Sequence, residues 1–496
     1  MPFRWDPREH IQLALYFLRW LVIGLPVGAL VGSAVALFLS SLERATEIRW
    51  SSDIGSGLFA GYPLLLLLLP LAGAAIAGMY QLAGKSVEAG NNLIVDQIHE
   101  PGGGVPGRMA PLVLIGTVVT HLFGGSAGRE GTAIQMGGSI ASQFGRLFGF
   151  TSQEMRTVLM CGVAAGFGAV FGTPLTGAIF AVEVLAIGLV DFQSIVPCLI
   201  ASIAGDRTTR AWGIVHTAYS VGQFAQQHLV HGAPDLSAVI LAKVAVAAIF
   251  FGLASVLFAE LTHGLGRVFR SIVPWAVLRP VLGGIIVIGL ALAVGTDYLG
   301  LGVRADPNHP AQVCIVSCFH AGGATSLSWW WKTLFTAITL SSGFKGGEVT
   351  PLFFIGAALG NWLAGLLGAP VDLFAALGFV AVFAGATNTP LACTIMGIEL
   401  FSSGQSELAR SGFVIYLATA CFVSYLFSGH SGVYLSQRIG STKGRIDQPV
   451  PGGSLRAARE GRPRWGASWL DRQRTAPAQT DSPEPQPADL SIRADK

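Results

Sequence analysis

Glu130, framed in Gly128-Arg129-Glu130-Gly131, and Glu348, which closes Gly343-Phe344-Lys345-Gly346-Gly347-Glu348, are the residues of this chain best placed to do chemistry. Each is a carboxylate at a flexible glycine break that opens a strongly apolar stretch. Ionisable groups are expensive at membrane depth and mark ion or proton pathways. A deprotonated Glu130 could occupy an anion site made by helix N–H groups and leave it on protonation, because like charges exclude one another. One side chain would then be both gate and proton carrier; the alternative is a helix-terminal carboxylate that satisfies its local dipole. Glu348 precedes Val349-Thr350-Pro351, where Pro suits the first turn of a helix because its missing N–H would be free there anyway. Thr350 could cap that helix or donate to an anion. Glu348 is either a proton relay or a carboxylate bonded to backbone N–H groups, and Lys345 could pair with it.

Gly90-Asn91-Asn92-Leu93-Ile94 offers carboxamide donors before another apolar stretch. Asn91 could complete an anion's shell without a permanent charge, or serve as a plain helix cap. Phe353 most simply packs helices, although the weakly positive edge of a ring can face a dehydrated anion. Arg129 and Arg156 are steering residues at most. His99 and His121 lack a metal constellation. Cys314 and Cys318 have no second His/Cys pair, so the six cysteines read as small buried hydrophobes, with no metal, no cofactor and no structural disulfide.

The elements that must position these groups are membrane helices. Mean hydropathy is +0.58 and only 12% of the 496 residues are charged, against about 25% in a soluble domain. A net charge of +3, with basic residues mostly in connections and at the C-terminus, argues against a nucleic-acid partner. Residues 11–39 read as a first, tilted span, and Arg4 and Arg8 ahead of it favour a cytoplasmic N-terminus. Many later apolar segments are shorter than the roughly 20 residues that cross a bilayer, which implies half-spanning or re-entrant helices whose exposed N–H groups can hold an anion. An internal repeat supports this. Thr173-Pro174-Leu175 followed by Glu183 recurs as Thr389-Pro390-Leu391 followed by Glu399, 216 residues on, and the Gly-x-x-Gly marks at Gly128 and Gly343 lie 215 apart. Two homologous halves follow, about 55–205 and 235–428. The symmetry of Glu183 and Glu399 suggests a shared structural duty, capping a helix or pairing at its polar end. After residue 438 the chain becomes rich in Pro and Arg, and 439–496 reads as a disordered cytoplasmic tail.

Together these elements resemble the CLC family of anion channels and anion/proton antiporters over most of residues 15–438. Gly128-Arg129-Glu130-Gly131 is similar to that family's gating-glutamate motif. Gly346-Gly347-Glu348-Val349-Thr350-Pro351 and Gly90-Asn91-Asn92-Leu93-Ile94 stand in the places of its anion-binding motifs. The resemblance implies an all-α polytopic membrane protein with inverted halves and tilted, broken and re-entrant helices. It further implies a homodimer with one pore per subunit, and an anion held by helix ends at Asn91, Gly131, Thr132, Val349, Thr350 and Phe353. Asn91 stands where chloride-type members usually have Ser, Thr132 where they have Pro, and Glu348-Val349 where they have an apolar-Phe pair. Val184 matches the usual internal proton-transfer glutamate, and the register of the usual pore tyrosine falls near Gly432, with Tyr434 close by. This pattern is similar to the bacterial fluoride/proton branch.

The resemblance therefore implies a multi-pass inner-membrane protein that exports cytoplasmic fluoride in exchange for external protons. The rival within the same architecture is a chloride/proton antiporter or a passive, voltage-gated-type chloride channel. A membrane enzyme using Glu130 and Glu348 as an acid/base pair would need an organic substrate pocket and a nucleophile or metal, which the sequence does not display.

Overall fold

In the computed structural model, residues 7–52, 64–222, 224, 236–401, 412–444 and 452–460 are described. The apolar run near the N-terminus becomes α1 (Pro7–Trp50), 44 residues and so about 66 Å long, which fits a bilayer only when tilted. The first half continues with α2 (Leu69–Met79), α3 (Asn91–His99), α4 (Met109–Leu122), α5 (Glu130–Leu147), α6 (Ser152–Phe171), α7 (Pro174–Glu183) and α8 (Ile195–Ala211). The second comprises α9 (Ala238–Ile272), α10 (Leu278–Val294), α11 (Ser328–Ser342), α12 (Val349–Leu367), α13 (Val371–Thr387), α14 (Pro390–Phe401) and α15 (Phe413–Phe427). Among the described residues five helical stretches are long and apolar enough to cross a membrane, and six further apolar helices have only 10–17 residues. This is a multi-span, all-α membrane architecture of tilted and broken helices. Its only described strands are the two-residue β1 (Ala186–Ile187) and β2 (Arg438–Ile439), paired in parallel.

Core packing follows the composition. From Asp372 to Thr387, α13 is buried on every side, as an all-round apolar helix must be. Small residues let the helices of each half approach closely: a Cβ on Gly137 of α5 would strike the Gly162 carbonyl of α6, and one on Gly356 of α12 would strike that of Gly378 in α13. The sequence opens an apolar helix just after Glu130, although its first turns carry Thr132, Gln135 and glycines. In the structure those polar residues are buried, so the helix begins at Glu130.

The Thr-Pro-Leu repeat has a direct structural meaning. Proline occupies the start of both α7 and α14, and the N–H groups behind it have no partner within their own helix. Glu183, at the end of α7, accepts from Leu391 N (3.0 Å) and Ala392 N (2.7 Å) of α14. Glu399, near the end of α14, accepts from Leu175 N (3.0 Å), Thr176 N (2.8 Å) and Thr176 Oγ1 (2.6 Å) of α7. The two helices therefore run antiparallel, each capped by the other's carboxylate, and the halves are clasped at two points.

The expected tail boundary at 438 needs correction. Residues 438–444 and 452–460 pack back onto the membrane domain: β2 pairs with β1, α16 (Leu455–Glu460) follows, and Leu455 buries itself against Ile187 and Ile439. Arg459 reaches Glu260 of α9 at 2.6 Å. Polar composition hides these few apolar anchors from a composition-based boundary. Residues 445–451 and 461–496, the rest of the expected tail, lie outside the described residues.

Candidate functional site

The site is the meeting of two helix N-termini, α5 from the first half and α12 from the second. Gly128 N donates to Gly347 O (2.6 Å) and Gly347 N donates to Gly128 O (2.8 Å). A Cβ on Gly131 would lie 3.0 Å from both Gly347 Cα and Asn91 Nδ2, and one on Gly347 would lie 2.7 Å from Gly131 N. The glycines of both motifs are thus required for backbone to abut backbone.

Glu130 is 1% exposed. Its carboxylate lies on the first turn of α12, accepting from Thr350 N (3.0 Å) and from Thr350 Oγ1, which stands 2.6 Å from either oxygen. Arg129 N donates to Oε2 at 3.1 Å, and Arg129 Nε lies 3.5 Å from Oε1. The acid of one half therefore occupies the anion-attracting end of a helix in the other.

Around this pair are polar groups without partners, which buried positions rarely tolerate. Asn91 Oδ1, Glu348 Oε2 and the Tyr434 hydroxyl are all buried without a hydrogen bond. Asn91 Nδ2 and Glu348 Oε2 approach the same point beside Gly131, at 3.0 and 3.7 Å from its constructed Cβ. Asn91 and Tyr434 also line one cavity of about 20 Å³ with Ile94, Phe180 and Val184, room for a single water-sized body. The positions read from sequence as Asn91, Glu130, Gly131, Glu348 and Thr350 are thus brought together. Val349 is buried at the start of the same helix. The Thr132 hydroxyl is 2.7 Å from that of Thr117, so its side chain is engaged with α4. Phe353 stacks on Phe379 (centroids 3.9 Å, 12°) and meets Phe383 edge-on at 5.3 Å, which places it in the aromatic core next to the site.

Three sequence readings change. Lys345 does not pair with Glu348: its ammonium sits over the Tyr80 ring, 4.0 Å from the centroid. Arg156 is held by Asp191 at 3.2 Å, so it is an ion-pair partner and not a steering charge. Tyr434, which register counting left beside the pore position at Gly432, lines the small cavity beside Asn91 together with Phe180. The segment that carries it has no helical period to count by, so only the tertiary structure could place it.

Arg129 also lines a second cavity, of about 380 Å³, with Arg49, Arg304, His216, Glu43 and Glu47. Burial, aided by nearby Arg210 and Arg129, pushes His216 down to about 4. At neutral pH the positive charge of this vestibule comes from arginine, and Arg129, on its wall, also contacts the Glu130 carboxylate. Among the described residues no cluster of three or more His, Cys, Asp or Glu side chains could hold a metal ion.

Comparison with known proteins agrees with this geometry. The family model described as "Voltage gated chloride channel" matches residues 72–429. A "Chloride/fluoride channel protein" of Pseudomonas syringae pv. tomato is 45% identical over 450 residues, 89% of this chain and 91% of its own. Among solved structures, the "Crystal structure of a CLC-type fluoride/proton antiporter" superposes with a TM-score of 0.74 at 31% identity, covering 85% of this chain and 98% of the other. A slow cyanobacterial Cl⁻/H⁺ antiporter shares the fold, with a TM-score of 0.66 at 21% identity over 83% of this chain and 94% of its own.

Proposed function

The chain belongs to the CLC family of voltage-gated chloride channels and transporters, and from that premise we propose that it exchanges cytoplasmic fluoride for external protons. As a family member it is a multi-pass bacterial inner-membrane protein that transports anions, and not an enzyme. The fluoride assignment draws on the similarity to the two fluoride-named proteins and on Asn91, Thr132 and Glu348, which depart together from the chloride-type pattern. The observation that carries the mechanism is the Glu130 carboxylate resting on Thr350 N and Oγ1. That position is one an anion would take, so an entering halide and the ionised acid compete for the same donors.

In the proposed cycle fluoride displaces Glu130, the freed carboxylate takes a proton from the vestibule side, and the neutral acid no longer repels the halide. Replacing fluoride's hydration requires several donors at once. Helix N–H groups, the Thr350 hydroxyl and the Asn91 amide supply them without a fixed cation that would slow release. Glu348 relays protons or completes the anion shell. With an inside-negative potential, anion exit and proton entry are each favoured by about 2.3 kcal/mol per charge at 100 mV. The working unit is a homodimer with one pore per subunit and both termini cytoplasmic.

A tyrosine hydroxyl donates to either halide, so Tyr434 beside Asn91 also supports a second reading, a chloride/proton exchanger or a passive chloride channel of the same build. Flux in sealed liposomes separates them. A fluoride gradient drives protons in the leading reading, whereas rapid chloride movement with little fluoride flux would reject it.

A further inference from the structure

We propose that Lys443, in the segment after the last membrane helix, is a positioning residue for Tyr434 at the anion site. This inference rests on the transport reading. Asn388 ends α13 in the left-handed conformation (φ 58°), the one described non-glycine residue with positive φ. Its amide is buried at the crossing of three segments: Nδ2 donates to Ser431 O (3.1 Å) and Gln437 Oε1 (2.9 Å), while Oδ1 accepts from Lys443 Nζ (2.5 Å). Gln437 Nε2 in turn donates to Val184 O (2.9 Å) and Thr387 O (3.0 Å). These bonds fix both ends of the irregular segment 431–437, and Tyr434 is in its middle. Val433 N donates to Ala386 O (2.9 Å) and Gln437 N to Tyr434 O (3.1 Å), which fastens the residues beside it.

An amide presents an acceptor and two donors, and the wrong end forward breaks every bond at once. An ammonium donates only, so Lys443 dictates which end of Asn388 faces it and therefore which end faces Ser431 and Gln437. The ammonium is itself held in a built receptor: it donates to Tyr425 O (2.7 Å) and Ser428 Oγ (2.9 Å), and it lies 3.7 Å from the Tyr425 ring centroid. The chain of contacts runs from Lys443 through Asn388 and Gln437 to the backbone that presents the Tyr434 hydroxyl. The segment following the membrane domain thereby sets a side chain at its centre.

The test uses the full-length protein and Lys443→Met. Amide exchange at Val433 and Gln437, measured in detergent, should quicken by at least tenfold in the variant; unchanged exchange would overturn the positioning role whatever the protein transports. In liposomes the apparent KM for fluoride should rise several-fold with maximal flux nearly kept. Tyr434→Phe should raise KM too, and adding Lys443→Met to it should have little further effect, because both changes act on one hydroxyl. Full additivity, or a loss of thermal stability with unchanged KM, would overturn the inference. If the wild-type protein moves no fluoride, the transport reading fails, while the exchange measurement still decides whether Lys443 holds the segment.

Discussion

Two pairs of acids at helix ends, Glu183 with Glu399 and Glu130 with Glu348, meet the same problem differently, and only the first pair is related by the internal repeat. Glu183 and Glu399 each accept two backbone N–H groups from the first turn of a proline-headed helix in the other half. The arrangement is reciprocal, and both acids are fully committed. Glu130 and Glu348 have no such reciprocity: Glu130 caps α12, whereas Glu348 Oε2 is buried without a partner. The Thr350 hydroxyl, an adaptable donor to Glu130, has its counterpart in Thr176 Oγ1 on Glu399, so the two pairs differ in the second acid and not in the donor types. A carboxylate on a helix end is therefore a clasp when a reciprocal partner matches it, and the proposed gate lies where the neighbouring acid is short of partners. The proposed gate therefore sits where the repeat supplies no matching acid, since spacings of 215 and 216 carry Glu130 onto Lys345 and Gly346.

The sharpest break of this contrast is Glu130→Gln, which should leave a folded protein in which a fluoride gradient moves no protons, read as pH change inside sealed vesicles. Loss of fold there, or retained coupling, would erase the distinction. Next in size, Glu183→Ala should strand two buried N–H groups and cost about 3 kcal/mol of stability. Thermal unfolding in detergent would show it, and the protein that remains folded should stay coupled. Thr350→Val removes only the adaptable donor and should shift apparent fluoride affinity about tenfold, or ~1.4 kcal/mol, with Thr350→Ser restoring it. The smallest effect is expected at His216. Because its proton is already lost well above about 4, His216→Ala should leave the pH profile of transport between 5.5 and 7.5 unchanged, so that any titration there belongs to the gate.

Much of this contrast was legible in the residues themselves. The Thr-Pro-Leu…Glu repeat encodes both donors and acceptor of the clasp, and its symmetry suggested a structural duty. Glycine spacing located the abutting termini, because close backbone approach admits no other residue. What stayed hidden depends on tertiary placement. Lys345 had no reason in sequence to choose Tyr80 over Glu348. Tyr434 lies in a stretch without periodicity, where a two-residue register error moves a side chain into or out of a cavity. The anchors at Ile439 and Leu455 are too few to alter the composition of a polar tail, yet two backbone pairs and one small apolar cluster suffice to seat them.

The mutual Gly128–Gly347 bridge constrains how this molecule can move. Together with the two carboxylate clasps it stitches the halves to each other. Rocking the halves as rigid blocks would rupture all of these joints together. In the proposed cycle, alternating exposure of the anion therefore falls to groups that swing on their own χ angles while these joints hold.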